Sequence, residues 1–258
     1  NMFNIQPVKK NVKIYINKMS NIQLLRKILP KVDFVFNLAG NVSHIDSLHI
    51  PKKDLDANLV QHVTFLECVR KYNPNVPIVY TSTRQVYGKP KYLPVDENHP
   101  IQPIDPNGIN KYACEQYHLL YHKLYGLKVV ILRLTNTYGP RQLIKHSRQG
   151  FIGWFINRIL QNKCIKLFGG GKQLRDFNFV RDVVDAIIKS TITPQAYGEI
   201  INLGGKPFSL LEFTKILISV ARKGKYEKVP FPEERLKIDI GDVYSDYSKA
   251  KNILNWTP

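Results

Sequence analysis

The chain has 258 residues, a formal net charge of +18 and 43% hydrophobic residues. This length and hydrophobic content suffice for a buried core and exclude a disordered chain. No apolar run approaches the roughly 20 residues that span a bilayer, and the first residues have no signal-peptide pattern, so we expect a cytoplasmic protein with no membrane partner.

The basic charge does not by itself indicate a nucleic-acid partner. Lysine and arginine are scattered along the chain in runs no longer than a pair, and no recognised nucleic-acid-binding motif is present. We therefore expect no nucleic acid among the partners.

Neither the cysteines nor the histidines predict a metal site. Cys68, Cys114 and Cys164 are far apart and form no C-x-x-C pair, which also argues against a disulfide framework. His118 and His122 have the i, i+4 spacing of a ligand pair, but no third ligand is evident. We expect no metal.

Short β-branched runs alternate with longer helical patterns. The predicted strands are Val12–Ile16, Val32–Leu38, Val76–Tyr80, Lys128–Leu134 and Glu199–Leu203. The predicted helices are Asn21–Leu29, Leu55–Lys71, Asn107–Tyr125, Phe151–Gln161, Val180–Thr191 and one that follows the capping box Ser209 and Glu212 and ends near Ala221. Such alternation favours parallel strands joined by helical crossovers, so we predict an α/β fold with a doubly wound parallel sheet.

Ligands of a doubly wound sheet bind beyond the carboxyl ends of its strands. The residues that follow three of the predicted strands are therefore the first candidates for a site. They are Asn37–Gly40, Thr81–Thr83 and Thr135–Gly139.

Seven segments, in order along the chain, resemble the extended short-chain dehydrogenase/reductase family of NAD-dependent sugar-nucleotide epimerases and dehydratases. They are Val32–Gly40, Asp56–Asn58, Thr81–Gly88, Leu132–Pro140, Gly171–Asp182, Asn202–Gly205 and Gly241–Pro258. Within that family, Gln149–Phe155 followed by Gly171–Asp176 is most similar to the branch that contains CDP-tyvelose 2-epimerase.

The resemblance implies a domain organisation and a set of partners. It implies an NAD-binding Rossmann-like domain over residues 1–135 and a smaller C-terminal substrate-binding lobe over 136–258, with 178–205 returning to the Rossmann domain. The first βαβ unit and its glycine-rich turn are absent, so the resemblance also implies a chain truncated at both ends. NAD, a nucleotide-sugar substrate and a homodimer are the expected cofactor and partners.

The resemblance also implies roles for individual residues. The implied catalytic residues are Thr83, Asn107 and Lys111; the cofactor-binding residues are Leu38, Ala39, Gly40, Asn58, Thr81, Lys111, Leu134 and Thr135; and the substrate-binding residues are Thr83, Arg84, Asn136, Arg175 and Asp242. Arg175 would bind the diphosphate, because a planar guanidinium can donate two parallel hydrogen bonds to a phosphate. Arg235 or Lys237 would substitute for a substrate-facing arginine that the family has where this chain has Asp239.

The chain departs from the family at the proton-handling group. The family has a tyrosine at the position of Asn107, four residues before Lys111, and an amide cannot accept a proton at neutral pH. Three interpretations are open. Lys111 could be the base if burial lowers its pKa, Tyr87 or Tyr112 could reach the site, or the protein could bind a sugar nucleotide without redox turnover.

A second departure bears on the reaction type. The dehydratase branch has an Asp-Glu pair directly after the threonine, where this chain has Arg84 and Gln85. Elimination of water then lacks an obvious proton donor. We therefore predict an NAD-dependent epimerase that works through a transient ketone, with a non-catalytic binding homologue or a dehydratase as the alternatives.

Overall fold

The computed structural model describes residues 2–145, 150–233 and 239–258. Gln149, Arg235 and Lys237, which the sequence analysis singled out, therefore lie outside the described residues. The strands are β1 Val35–Asn37, β2 Ile78–Thr83, β3 Val129–Leu134, β4 Asn136–Tyr138, β5 Ile165–Phe168, β6 Leu174–Phe179, β7 Ile200–Leu203, β8 Pro207–Ser209 and β9 Tyr226–Val229.

The α-helices alternate with these strands. They are α1 Met2–Ile5, α2 Ile22–Ile28, α3 His44–His49, α4 Pro51–Leu55, α5 Gln61–Tyr72, α6 Pro106–Tyr125, α7 Phe151–Leu160, α8 Val180–Ile192, α9 Leu210–Ala221 and α10 Ser248–Leu254. Short 3₁₀ turns cover Gln6–Asn11, Leu29–Lys31, Arg84–Tyr87, Gly169–Gly171 and Pro194–Ala196, and a π turn covers Asp56–Val60. No helix in the described ranges combines the length and the apolar character needed to cross a membrane.

The main sheet consists of four parallel strands in the order β1-β2-β3-β7. Both of its faces are covered. One apolar layer packs α2, α5 and α6 on one face, and a second packs α8 and α10 on the other. A strand buried on both faces needs apolar residues at successive positions, which is why these segments are nearly continuous apolar runs. The prediction of a doubly wound parallel α/β sheet is confirmed.

Four of the five predicted strands are confirmed, and Val12–Ile16 is wrong. Residues 12–16 have no regular structure, and they pair with no strand of the described chain. The side chain of Ile16 is 89% exposed. An apolar run becomes a strand only where a neighbour accepts its backbone hydrogen bonds and covers its side chains, and these residues have neither.

The predicted helix Leu55–Lys71 is continuous with α4, so it begins four residues earlier than predicted. Its π turn buries Asn58 completely and is followed by the equally buried His62. A π turn inside a helix shifts the faces of the residues around it and is common at functional sites.

Two smaller sheets are formed by strands that come after β3 in sequence. β6 pairs with β4 in parallel and with β8 antiparallel, and β5 pairs with β9. Helices α7 and α9 cover them through an aromatic cluster in which the rings of Phe177 and Phe213 stack at 4.8 Å. Between these elements the chain returns to the main sheet with β7.

A buried ion pair holds α6 against the main sheet. The guanidinium of Arg133 on β3 donates to both carboxylate oxygens of Glu115 on α6, at 3.0 and 2.6 Å. Ser82 on β2 also donates to Glu115, and Arg133 donates to the hydroxyl of Tyr87 at 2.7 Å. Burial opposes the charge of Arg133, but the hydrogen bonds and charge of Glu115 outweigh burial and raise the pKa of the guanidinium.

We expect Glu115→Gln to lower the free energy of unfolding by about 3–5 kcal/mol, because Arg133 would keep a buried charge without a counter-charge. The control is Asp185→Asn, which removes the partner of Lys189 in an exposed pair on α8 and should change stability by less than about 1 kcal/mol. Urea unfolding followed by circular dichroism measures both. Equal losses in the two variants would contradict the central role of the buried pair.

Candidate functional site

A cavity of about 900 Å³ opens at the carboxyl ends of β1, β2 and β3. This is the edge at which ligands of doubly wound sheets bind. Eleven of the residues proposed from the sequence line it: Leu38, Ala39, Gly40, Thr81, Thr83, Arg84, Asn107, Lys111, Leu134, Thr135 and Asn136. Asn58, Arg175 and Asp242 do not.

Lys111 is the buried cation of this cavity. Its ammonium donates to the carbonyl of Thr81 at 3.3 Å and lies 5.1 Å from the ring centroid of Tyr80. Burial lowers the pKa of Lys111, and nearby groups that include Cys114 and Asp54 only partly oppose this. The site thus holds a cation that gives up its proton more easily than an exposed lysine does.

Asn107 lines the cavity, but its amide nitrogen donates hydrogen bonds to other residues of the protein. It donates to the carbonyl of Asn41 at 2.9 Å and to Asp54 Oδ2 at 3.1 Å. The other oxygen of the buried Asp54 accepts from the amide of Asn110 at 2.9 Å. Both amide protons of Asn107 are therefore used to join α6 to α4 and to the segment that follows β1.

Thr83 ends β2 and begins the next 3₁₀ turn. Its hydroxyl oxygen accepts from the backbone N–H of Gln85 at 3.3 Å. That bond does not use the hydroxyl proton, so Thr83 can still donate a hydrogen bond into the cavity.

Gly40 brings the backbone close to two functional side chains. Its φ is +140°, and a Cβ there would lie 2.4 Å from Asn58 Oδ1 and 3.0 Å from Lys111 Nζ. The same oxygen of Asn58 accepts from the N–H of Asn41 at 2.9 Å. Asn58 therefore lies behind the cavity wall and holds the backbone that forms it.

Several polar groups surround Asp176, which lies next to the cavity residues Thr135 and Asn136. The buried carboxylate accepts from the hydroxyl of Thr135 and from the N–H of Ser245, the latter at 2.9 Å. Burial raises the pKa of Asp176, although the charge of Arg84 opposes this. Asn136 donates to the carbonyl of Asp176 at 2.9 Å and accepts from Arg84 Nη2 at 3.4 Å. Within the described ranges, the buried Nη1 of Arg84 has no hydrogen-bond partner.

Arg175 and Asp242 lie together and do not line the cavity. Arg175 Nη1 donates to the carbonyls of Leu174 and Gly241 at 2.7 and 2.6 Å. Burial and the charge of Arg84 lower the pKa of Arg175 to about 10. Asp242 accepts from the N–H of Leu174 at 2.8 Å. The structure thus joins these two residues to each other's segments, and Arg175 is close enough to Arg84, which lines the cavity, for the two charges to interact.

Neither tyrosine considered as a replacement for the missing phenol lines the cavity. The hydroxyl of Tyr87 donates to Asn202 Oδ1 at 2.8 Å and accepts from Arg133, and burial raises its pKa to about 12. Tyr112 packs against the apolar cluster that contains Tyr87 and Val95. The structure gives no support to a replacement phenol from these two residues.

His62, Cys114 and His118 place their potential ligand atoms within 4.8 Å of one another. Burial lowers the pKa of His62 to about 3 and that of His118 to about 4, and it raises the pKa of the Cys114 thiol to about 12. A metal would have to displace the thiol proton. His122, the other half of the spacing noted in the sequence, instead bonds the carbonyl of Leu127 at 2.7 Å.

Sequence reasoning missed one pair at the cavity, His44 and Asp105. His44 lines the cavity, and its Nδ1 lies 2.6 Å from Asp105 Oδ2. Asp105 is the N-cap of α6, and its other oxygen accepts from the N–H of Gly108 at 2.8 Å. The Asp-Pro dipeptide before α6 signals a helix start, but nothing in the local sequence signals a histidine 61 residues away.

We expect Gly40→Ala to destabilise the protein more than Gly126→Ala does. Gly126 also has a positive φ, +69°, but a Cβ there meets nothing within 4 Å, so only the left-handed backbone strain of about 1–2 kcal/mol applies. At position 40 the added methyl group must also break the bond between Asn58 and Asn41, which adds about 1–3 kcal/mol. Chemical unfolding of the two variants tests this, and an equal loss would contradict the close approach.

The chain resembles known proteins over most of its length. The model of the NAD-dependent epimerase/dehydratase family matches residues 4–204. A Methanocaldococcus jannaschii protein named "Putative UDP-glucose 4-epimerase" is 38% identical over 231 residues, which cover 88% of this chain and 72% of that protein. CDP-paratose 2-epimerase of Salmonella typhi is 30% identical over 268 residues, with 94% and 77% covered.

A solved structure has the same fold. The UDP-N-acetylglucosamine 4-epimerase of Methanobrevibacter ruminantium M1, in complex with UDP-N-acetylmuramic acid, superposes with a TM-score of 0.90 at 27% identity, covering 100% of this chain and 81% of that one. The family match spans well over half of the chain, and it agrees with the fold and with the motifs that surround the cavity. The chain belongs to the NAD-dependent epimerase/dehydratase family.

Proposed function

We propose that the protein is an NAD-dependent epimerase that acts on a nucleotide-activated sugar through a transient keto intermediate. One observation carries this proposal beyond family membership. Thr83 and Lys111, whose hydroxyl and ammonium the family uses at the reacting carbon, line the same cavity at the carboxyl ends of the strands. Its volume of about 900 Å³ suits a cofactor ring together with a sugar.

The residues on the β1 side fit the nicotinamide end of NAD. Gly40 lets the backbone approach Lys111, whose ammonium has two N–H donors beyond the one that reaches Thr81. These donors would hold ribose hydroxyls. The buried Nδ2 of Asn58, which lies behind Gly40, has no partner among the described residues and is a further donor. Leu38, Ala39, Thr81, Leu134 and Thr135 would complete the contact surface. Bound NAD would supply the acceptor and donor of hydride.

The chain's own residues then orient the sugar and stabilise its charge. Thr83 would donate a hydrogen bond to the oxygen of the reacting carbon. Lys111 would stabilise the negative charge that develops on that oxygen, and the low dielectric of its buried position strengthens this interaction. Asn107 cannot take the proton, so its contribution is to hold α6 in place.

The part of the cavity that is lined by Arg84 and Asn136 would hold the rest of the substrate. Arg84 and Asn136 line the cavity, and their guanidinium and amide groups can bond sugar hydroxyls. We propose Arg175 and Asp242, which lie outside the cavity, as residues of the nucleotide end, with Arg175 binding the diphosphate. The charge of Arg175 beside that of Arg84 supports an anion contact in this region.

We also propose the domain division at residue 135, with 178–205 as part of the cofactor domain. The pairing of β3 with β7 supports it. A homodimer and a cytoplasmic location are the remaining parts of this proposal, and three free cysteines are consistent with a reducing compartment.

Incubation of the protein with NAD and a panel of UDP-, CDP- and dTDP-sugars in deuterated water tests the function. We expect one sugar nucleotide to give an epimer of unchanged mass, because the hydrogen that leaves the carbon returns to it. Lys111→Met should lower turnover about 10²–10³-fold by removing the charge that stabilises the oxyanion. Loss of water with deuterium uptake would identify a dehydratase instead. Binding without product would contradict the enzyme.

Turnover should also fall at high pH through Lys111. The ammonium is the working form, and burial lowers its pKa, so this form is lost as pH rises at values below those that deprotonate an exposed lysine. Lys111→Arg keeps its charge, so its decline should move to higher pH even where its maximal turnover is lower. Profiles of kcat against pH measure this. The same alkaline decline in both proteins would contradict the assignment.

A further inference from the structure

Oxidation of a sugar hydroxyl requires a group that takes the hydroxyl proton, and the inference below rests on the proposed function. Asn107 replaces the family's phenol and cannot do this. The ionisable side chains that line the cavity, in the part of the chain that the structure describes, are His44, Arg84, Lys111, Arg141 and Lys145. Of these residue types, only histidine ordinarily exchanges its proton near neutral pH.

The surroundings of His44 suit a proton acceptor. Its Nδ1 lies 2.6 Å from Asp105 Oδ2, and its side chain is 32% exposed, so a ligand in the cavity can reach the ring. Burial alone would raise the pKa of Asp105, but bonds from His44, Gly108 and Asn107 outweigh burial and lower it, so the carboxylate stays ionised. A carboxylate acceptor at Nδ1 favours a proton on that nitrogen, so the lone pair of the neutral ring lies on Nε2.

Asn107 contributes to the position of this pair. Its amide donates to the carbonyl of Asn41, three residues before His44, and it lies two residues after Asp105 on the first turn of α6. Ser43 caps α3 through the N–H of Asp46 and so sets the start of the helix that carries His44. The amide that replaces the phenol thus holds together the two segments that carry the pair.

We propose that His44 is the general base of the reaction and that Asp105 is its positioning residue. His44 Nε2 takes the hydroxyl proton, and bound NAD would supply the acceptor for the C–H hydrogen and its electron pair as the C–O bond becomes a carbonyl. The proton returns from Nε2 when hydride is delivered to the opposite face of the carbon. Lys111 remains charged throughout and stabilises the oxygen, which is a different task.

His44→Gln and His49→Gln form a matched pair of variants. His49 lies on the same helix α3, is exposed, and does not line the cavity. We expect His44→Gln to lower kcat about 10²–10⁴-fold with little change in KM, as loss of a general base does. His49→Gln should stay within about twofold of the original protein, and added imidazole should restore part of the activity of His44→Ala.

The role of Asp105 can be separated from helix capping. Asp105→Ser keeps an N-cap hydroxyl for the N–H of Gly108 but loses the carboxylate that faces His44. We expect its stability to stay within about 1 kcal/mol of the original protein, since serine is also a preferred N-cap. Its kcat should fall at least about tenfold at unchanged KM, an effect that a purely structural residue would not produce.

A labelling experiment gives a readout that does not depend on turnover. Diethyl pyrocarbonate acylates imidazole nitrogens that carry a lone pair, and mass spectrometry locates the label. NAD and UDP-glucose together should slow the labelling of His44 and leave that of His49 unchanged. Equal labelling of His44 with and without these ligands would overturn its position at the substrate.

The outcomes of these experiments separate the two proposals. If the original protein converts a sugar nucleotide and His44→Gln retains more than about a tenth of that rate, the base is not His44 and the proposed function stands. If the original protein converts no member of the panel, the proposed function fails and the catalytic role of His44 fails with it. Loss in His44→Gln, rescue by imidazole and ligand protection together establish the proposal.

Discussion

The buried pair of Arg133 and Glu115 is the interaction on which the site depends. Two charges removed from water are stable only when their hydrogen bonds are complete, and here Ser82 and Tyr87 complete them. Glu115 lies one helical turn after Lys111, so the pair fixes both the rotation and the axial position of α6. A shift of the helix by one residue would turn its side chains by about 100°, break the pair and remove Lys111 from its place at the cavity.

Sequence patterns predicted the main sheet well because burial on both faces requires apolar runs. The same reasoning failed at Val12–Ile16, because an apolar run shows that a segment can form a β-strand and does not show that a partner strand is present. The starts of α7 at Phe151 and of α8 at Val180 were predicted although neither helix has a side-chain cap. Ser209 and Glu212 form the full capping box, whereas the π turn before His62 has no sequence signal that we can identify.

The site was predictable to the extent that its residues follow strands. Thr83 ends β2, Arg84 follows it directly, and Asn136 comes two residues after the end of β3, so sheet topology alone brings them to one edge. The pairing of His44 with Asp105 joins residues 61 positions apart with no periodic pattern, so only the folded chain shows it. Asn58, predicted as a cofactor contact, lies behind Gly40, and a residue type alone does not reveal on which side of a cavity wall a side chain lies.

The groups that surround position 107 explain why an amide fits there in place of the family's phenol. A tyrosine has one hydroxyl proton to donate, whereas the amide donates two and satisfies both the buried carboxylate of Asp54 and the carbonyl of Asn41. Asp54 also accepts from Asn110, so each oxygen of this buried carboxyl group is bonded by an amide. At the position where the family has a phenol, this chain has an amide that bonds the segment after β1, and that segment leads into the helix that carries His44. One bond thereby links the structural role of Asn107 to the proposed role of His44.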